Sequence, residues 1–112
     1  MNNDLAVLWT SGDIEVAKKM VFMYVFNAKK QNWFENVTFI VWGPSSRLLS
    51  ENKSLQEEIK KFIKEDIKVE ACKACADEYG VSNKLEDLGI DVKYMGKPLS
   101  DYLKKGMKVL TI

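Results

Sequence analysis

Cys72 and Cys75 are the only cysteines of the chain, three residues apart in Val69-Glu70-Ala71-Cys72-Lys73-Ala74-Cys75-Ala76. The apolar residues before them read as a strand and the residues after as a short helix, which puts Cys72 at the first helical turn. Unpaired backbone N–H groups and the positive end of the helix dipole favour an anion there. A free thiol ionises near about pH 8.5, and only the thiolate is a good nucleophile. Lys73 adds positive charge if its side chain folds back. A persulfide is also an anion at neutral pH and gains from the same surroundings. Cys75, one turn later, falls on roughly the same side, placed to resolve an oxidised Cys72 or to hand sulfur onward. A packing role stands beside this reading: unpaired cysteines are often small buried hydrophobes, and Ala71, Ala74 and Ala76 mark a tightly packed stretch. Cys75 in particular is suited to packing against a sheet.

What the sequence lacks narrows the chemistry. It has no histidine, so no Ser-His-Asp or Cys-His triad can form within the chain. Two thiolates are half of a tetrahedral zinc set, and a metal shared between subunits would need carboxylates or partner ligands to complete it. Neither Gly12 nor Gly43 opens a Walker A or dinucleotide-binding glycine series. The expectation is a protein with neither cofactor nor metal. With 17 basic and 16 acidic residues the net charge is +1, which supplies no field for nucleic acid or an anionic membrane. No long apolar span occurs, and Asp4 interrupts a start that has no basic leader. These features predict a cytoplasmic protein, where a lone Cys-x-x-Cys serves redox, sulfur-carrying or metal chemistry more often than a structural disulfide.

The 112 residues suffice for one domain, 1–112. Leu5–Trp9, Val37–Trp42 and Ile67–Ala71 are apolar runs, with Ile90–Tyr94 and Met107–Ile112 as weaker ones. Continuous rather than alternating apolarity predicts strands covered on both faces, as in a parallel sheet. Between the runs the period becomes helical. Asp13 to about Gln31 places Ala17, Met20 or Val21, Tyr24 and Ala28 on one stripe. Ser54 and Glu57 read as a capping box before Leu55, Ile59, Phe62 and Ile63. Short helices follow: one holding the cysteines and stopped by Gly80, one over Ser82–Leu88 stopped by Gly89, one over Pro98–Lys104 stopped by Gly106. The rhythm predicts a single three-layer α/β/α domain with right-handed crossovers. Val21-Phe22-Met23-Tyr24-Val25-Phe26 is apolar on nearly every side, more than one sheet contact uses, and predicts a second covering surface from another subunit.

Loops at the carboxyl ends of parallel strands converge on one edge, where such folds place their sites. Thr10, Ser11 and Gly12 after the first strand, and Trp42, Gly43 and Ser45 after the second, are candidates to line a pocket beside Cys72, Cys75 and Lys73. Tyr94, Met95 and Gly96 follow the fourth run. Equally, Gly43-Pro44 reads as a sharp turn with Ser45 as a helix cap. Arg47, the only arginine, is an anion clamp or a solvated helix residue.

Leu5-Ala-Val-Leu-Trp-Thr-Ser-Gly12, Val41-Trp-Gly-Pro-Ser45, Val69-Glu-Ala-Cys-Lys-Ala-Cys-Ala76, Tyr79-Gly80-Val81 and Leu88-Gly89-Ile90 together resemble the DsrE/DsrF-like family of small sulfur-relay-related proteins. The resemblance implies a five-stranded parallel sheet in an α/β/α domain and a homo-oligomer, trimer or hexamer. It also implies a persulfide-forming cysteine just after the third strand, at Cys72, with Cys75 as an addition to the one-cysteine pattern. Sulfur donor and acceptor proteins would then be the partners. Two functions follow: a sulfur carrier or sulfurtransferase-like protein, or a non-enzymatic oligomeric binding or assembly module on the same fold.

Overall fold

The computed structural model describes residues 3–112. Five strands, β1 (Asp4–Trp9), β2 (Asn36–Val41), β3 (Lys68–Cys72), β4 (Asp91–Lys93) and β5 (Lys108–Thr111), form one sheet in the order β4-β3-β2-β1-β5. All four pairings are parallel. The three inner strands are the continuous apolar runs of the sequence. In β2 every residue from Val37 to Val41 is buried, as burial on both faces requires. The edge strands β4 and β5 are short and half-exposed.

The strand order fixes where the helices go. Three successive connections step in one direction across the sheet, so right-handed crossovers put their helices on one face. That face holds the larger core, built from α1 (Ile14–Val16), α2 (Phe22–Lys30), α3 (Pro44–Glu51), α4 (Lys53–Lys64), α5 (Lys73–Tyr79) and α6 (Ser82–Asp87). The fourth connection returns across the sheet, and its helix α7 (Gly96–Lys104) covers the opposite face, where Ala6, Ile40, Cys72, Met95 and Tyr102 form a smaller core. The expected three layers are present, but one outer layer is a single nine-residue helix.

The first helix departs from the expected stripe. Asp13 caps it, accepting from the Glu15 and Val16 N–H groups. Between α1 and α2 the chain makes a π turn over Ala17–Val21. This wider turn shifts the phase, so Ala17, Val21, Phe22, Val25 and Ala28 are buried while Met20 is exposed and Tyr24 half-exposed. Most of the surplus apolar surface is absorbed internally. Trp9, Phe22, Phe39 and Phe62 meet at centroid distances of 5.0 to 5.5 Å and carry the centre of the core. Met23 and Trp33 remain exposed.

Two other local expectations are corrected. Helix α4 is capped by Asn52, whose Oδ1 accepts the Leu55 N–H at 3.0 Å; Ser54 donates to the same oxygen and lies inside the helix. Asn is as good a cap as Ser, and starting earlier extends the apolar face. Leu55, Ile59 and Phe62 are buried, but Ile63 is exposed. Pro44 sits at the start of α3, where its missing N–H costs nothing. Gly43 takes the cap position with φ of 75°, and Ser45 falls within the helix.

Candidate functional site

Strand β3 ends at Cys72, which is also the N-cap residue of α5. The seven-residue helix carries Cys75 in its first turn and stops at Gly80, whose φ of 70° and ψ of 30° form a left-handed cap. Both cysteines are free thiols. A sulfur at the mouth of the helix is expected to lie open to solvent, and the structure differs. Cys72 is 4% exposed, because its side chain points to the α7 face and joins the core of Ile40, Met95 and Tyr102. Cys75 is half-buried and reaches the surface. A residue at the N-cap still belongs to its strand, and here the strand's alternation directs the Cys72 sulfur into the sheet.

The Gly43 backbone N–H and the Cys72 thiol both lie close enough to Cys75 to influence its ionisation. Burial pushes its pKa up from the ordinary thiol value; the Gly43 N–H pulls the other way, and Cys72 adds to the rise. The thiol is therefore protonated at neutral pH, and each thiolate that forms is correspondingly more nucleophilic. Because the fold favours the protonated form, this contribution to stability is present below the unfolded thiol pKa and lost as pH rises through the raised value. Alkylation of Cys75 by iodoacetamide is expected to rise nearly tenfold from about pH 7 to 8 and to keep rising to about pH 8.5 without a plateau. Mass-resolved alkylation rates measure this, and a plateau below pH 8.5 would contradict it.

The surrounding loops do less than their residue types promised. Ser45 is fully buried. Its hydroxyl donates to the Trp9 carbonyl at 2.6 Å, with the Trp42 carbonyl a longer acceptor at 3.1 Å, and it accepts the Trp42 N–H at 3.1 Å. It clamps the ends of β1 and β2 together. Ser45→Ala is expected to lower unfolding free energy by about 1–3 kcal/mol, the cost of a buried backbone group losing its partner, measurable as a shift in the urea midpoint. Thr10 turns away: its hydroxyl and N–H both donate to the Ile112 carbonyl, as does the Ser11 N–H. The Ser11 hydroxyl accepts the Asp13 N–H. Gly12 abuts Pro44, and a Cβ there would come within 3.2 Å of the proline ring. These residues brace the chain around the Gly43 loop. Trp42 packs half-buried against the core that contains Cys72.

Lys73 does not fold back toward Cys72. Its ammonium pairs with Asp77 at 2.7 Å and lies over the Tyr94 ring. The Lys73 ammonium and the Ser82 hydroxyl hold the Asp77 carboxyl below its usual range. Arg47 lies over the Tyr79 ring, 5.9 Å from its centroid, and both are exposed. A groove of about 400 Å³ lies between α2 and α4, lined by Lys18, Phe22, Met23, Phe26, Leu55 and neighbours.

A second cluster lies beside Cys72. Glu70, two residues earlier on the same face of β3, is fully buried. The Tyr102 hydroxyl donates to its Oε1 at 2.5 Å. Its Oε2 has no aligned hydrogen-bond donor, but lies 2.6 Å from the Lys93 ammonium and 3.4 Å from that of Lys68. Lys93 also pairs with Asp91 at 2.8 Å, and Asp91 first and Glu70 second hold its pKa well above the usual lysine value. Burial opposes the charge on Lys68, but contacts with Tyr102 and Glu70 outweigh it and raise that pKa too. Burial and then Glu70 keep the Tyr102 phenol protonated to higher pH than usual. The signal in the sequence was the one charged residue inside Val69-Glu70-Ala71-Cys72. Its partners come from β4 and α7, too far along the chain for local reading to find.

An all-parallel five-stranded sheet, with two cysteines at the carboxyl end of its third strand, defines the α/β domain. The family model for the DsrE/DsrF-like family matches residues 20–112, and the chain belongs to that family. Membership points to a sulfur-relay-related role. The structure of a conserved protein of unknown function, BT1422 from Bacteroides thetaiotaomicron, is similar at a TM-score of 0.94 and 37% identity, covering 98% of this chain and 95% of that one. The YchN protein of E. coli shares the fold at a TM-score of 0.76 and 14% identity, with both chains fully covered. Comparison with curated proteins yields no match. No helix among the described residues is long and apolar enough to cross a membrane.

Proposed function

We propose that this chain is a cytoplasmic sulfur carrier in which Cys75 is the entry thiol and Cys72 the inner, resolving one. The observation that carries the reading is the arrangement of the two sulfurs: Cys75 half-buried at the surface with the Gly43 N–H and the Cys72 thiol near it, and Cys72 buried in the core beneath. In the loading step the Cys75 thiolate attacks the outer sulfur of a donor persulfide. A Cys75–S–S⁻ persulfide forms, and the donor leaves as a thiol after taking up the proton that Cys75 lost. The Gly43 N–H is placed to stabilise negative charge on sulfur. An acceptor thiolate then removes the outer sulfur. Where no acceptor binds, the Cys72 thiolate attacks the inner sulfur and expels hydrosulfide. The cysteine pair is oxidised to a disulfide as the sulfane sulfur is reduced to sulfide, and an external dithiol resets the pair.

Incubation with a persulfide donor, followed by intact-mass and peptide analysis, tests this. An added mass of about 32 Da on Cys75 supports it. Failure of both protein and small-molecule persulfide donors to label a Cys75 that still reacts with iodoacetamide would sink it.

The second reading is an oligomeric binding or assembly module. Its support is the sheet face covered by α7 alone, with Leu8, Trp42, Leu99, Met107 and Val109 only partly buried and Leu103 exposed. Burial of that face between copies, rather than of the first helix, would make the homo-oligomer, trimer or hexamer. This reading predicts that Cys72→Ser/Cys75→Ser leaves oligomer mass and partner binding unchanged in sedimentation and pull-down measurements.

A further inference from the structure

Lys93 closes β4 and Tyr102 lies in the last turns of α7, and both reach the same carboxylate. The chain between them, Tyr94 to Asp101, is thereby tied down at its two ends on Glu70. Within it lies Met95, 1% exposed and part of the core that covers Cys72. Gly96 to Asp101 are the first turns of α7, and their other ties are lighter: Tyr94, 67% exposed, lies under the Lys73 ammonium, Lys97 pairs with Asp101 within the helix, and Leu99 packs inward. A carboxylate buried in a parallel strand is costly unless compensated, and an apolar residue would fill the site at lower electrostatic cost. Its placement, two residues before Cys72 on the same sheet face, gives it a use that packing alone does not.

We infer that Glu70 is a positioning residue for the thiol pair: through Lys93 and Tyr102 it latches the Tyr94–Asp101 strap over Cys72, so that Cys72 reacts with Cys75 and not with solutes. The inference rests on the assignment of Cys75 as the outer thiol and Cys72 as the inner one. The latch makes the order of events directional. Incoming sulfur meets Cys75 first, and the inner thiol is kept from donors, oxidants and alkylating agents until Cys75 carries something to resolve. Opening of the strap is a local event, and the reactivity of a buried thiol follows the population of the open form.

The test uses simple alkylation and no sulfur donor, so its outcome is independent of whether the chain carries sulfur at all. Cys72 is followed alone in a Cys75→Ser background, and Cys75 alone in a Cys72→Ser background, with iodoacetamide and peptide mass detection. Glu70→Gln keeps the shape of the side chain, and Tyr102→Phe removes only the hydroxyl. Each is expected to raise the Cys72 alkylation rate by roughly tenfold or more, the scale of losing one charge-assisted hydrogen bond from a local closing equilibrium. The Cys75 rate should change less than about twofold, since Cys75 already reaches the surface and packs only at the edge of that core. Urea unfolding and exchange of backbone amides in β2 report global stability on the same variants. Unchanged Cys72 rates in both variants would overturn the inference. So would Cys72 and Cys75 rates rising together in step with faster β2 exchange, since that pattern means general loosening. Should Glu70→Gln fail to fold, Tyr102→Phe decides alone.

Discussion

Cys75→Ser will load no persulfide, while Cys72→Ser will load it and then hold it. A serine hydroxyl cannot attack a persulfide at neutral pH, so removing the outer thiol removes the only accessible nucleophilic sulfur, and labelling should fall to background. The inner thiol does not substitute for it, because 4% exposure leaves a donor no approach to the Cys72 sulfur. Replacing Cys72 has the opposite signature. Loading proceeds, but without a neighbouring thiol the persulfide loses its internal route to a disulfide and hydrosulfide. Sulfide release in the absence of an acceptor should then slow by roughly tenfold or more, the least that a nearby intramolecular nucleophile contributes. The two variants are read in one experiment, with mass spectrometry for the bound sulfur and a sulfide probe for its release. Persulfide appearing on Cys72 in the Cys75→Ser protein would reverse the assignment of roles.

Phe39→Ala is expected to cost about 3–5 kcal/mol of unfolding free energy. Phe39 lies on the central strand with no exposed surface, stacked on Trp9 at 5.5 Å and meeting Phe22 and Phe62 edge-on at 5.3 Å each. Truncation leaves a cavity among three rings anchored on β1, α2 and α4, none of which can move in without breaking its own contacts. Domains of this size hold about 5–15 kcal/mol in total, so the variant would sit near its unfolding threshold at 37 °C. Phe39→Leu, which retains most of the volume, should lose less than half as much. Urea titration separates the cases: the midpoint falls with an unchanged slope when only stability has changed. A loss below about 1 kcal/mol for Phe39→Ala would mean that the ring cluster relaxes into the gap and does not organise the core.

Sheet composition was legible because burial on both faces leaves an unbroken apolar run, and each of the five runs became a strand. Helix existence was legible for the same reason of period, but helix phase was not. The π turn moved Met20 out and Phe22 in, and no residue type announces a π turn. Caps were ambiguous where two polar residues competed, as Asn52 and Ser54 did. Gly43-Pro44 gave a turn without revealing that α3 began there. At the site, the sequence located both sulfurs but not their accessibility, because the direction of the Cys72 side chain depends on strand alternation up to its last residue. Hydroxyls were the least legible. Thr10 and Ser45 have the right types for a pocket, yet backbone carbonyls brought close by β5 and β1 claim them first. Glu70 was visible as an oddity in an apolar strand, and only three-dimensional proximity to Lys93 and Tyr102 gives it a purpose.

The wide turn at Ala17–Val21 has a bearing on how this helix tolerates changes of length. Each hydrogen bond there spans one residue more than in an ordinary helix, so the segment holds a spare residue relative to a regular α-helix joining the same two ends. Lys18, Lys19 and Met20 face outward at that point. A chain shorter by one of them could wind regularly from Asp13 to Gln31 while keeping Ala17 and Phe22 turned to the sheet. A change of length by one residue is therefore accommodated most readily at this place, where gain or loss of one position rewinds a single turn and leaves the register of the core intact.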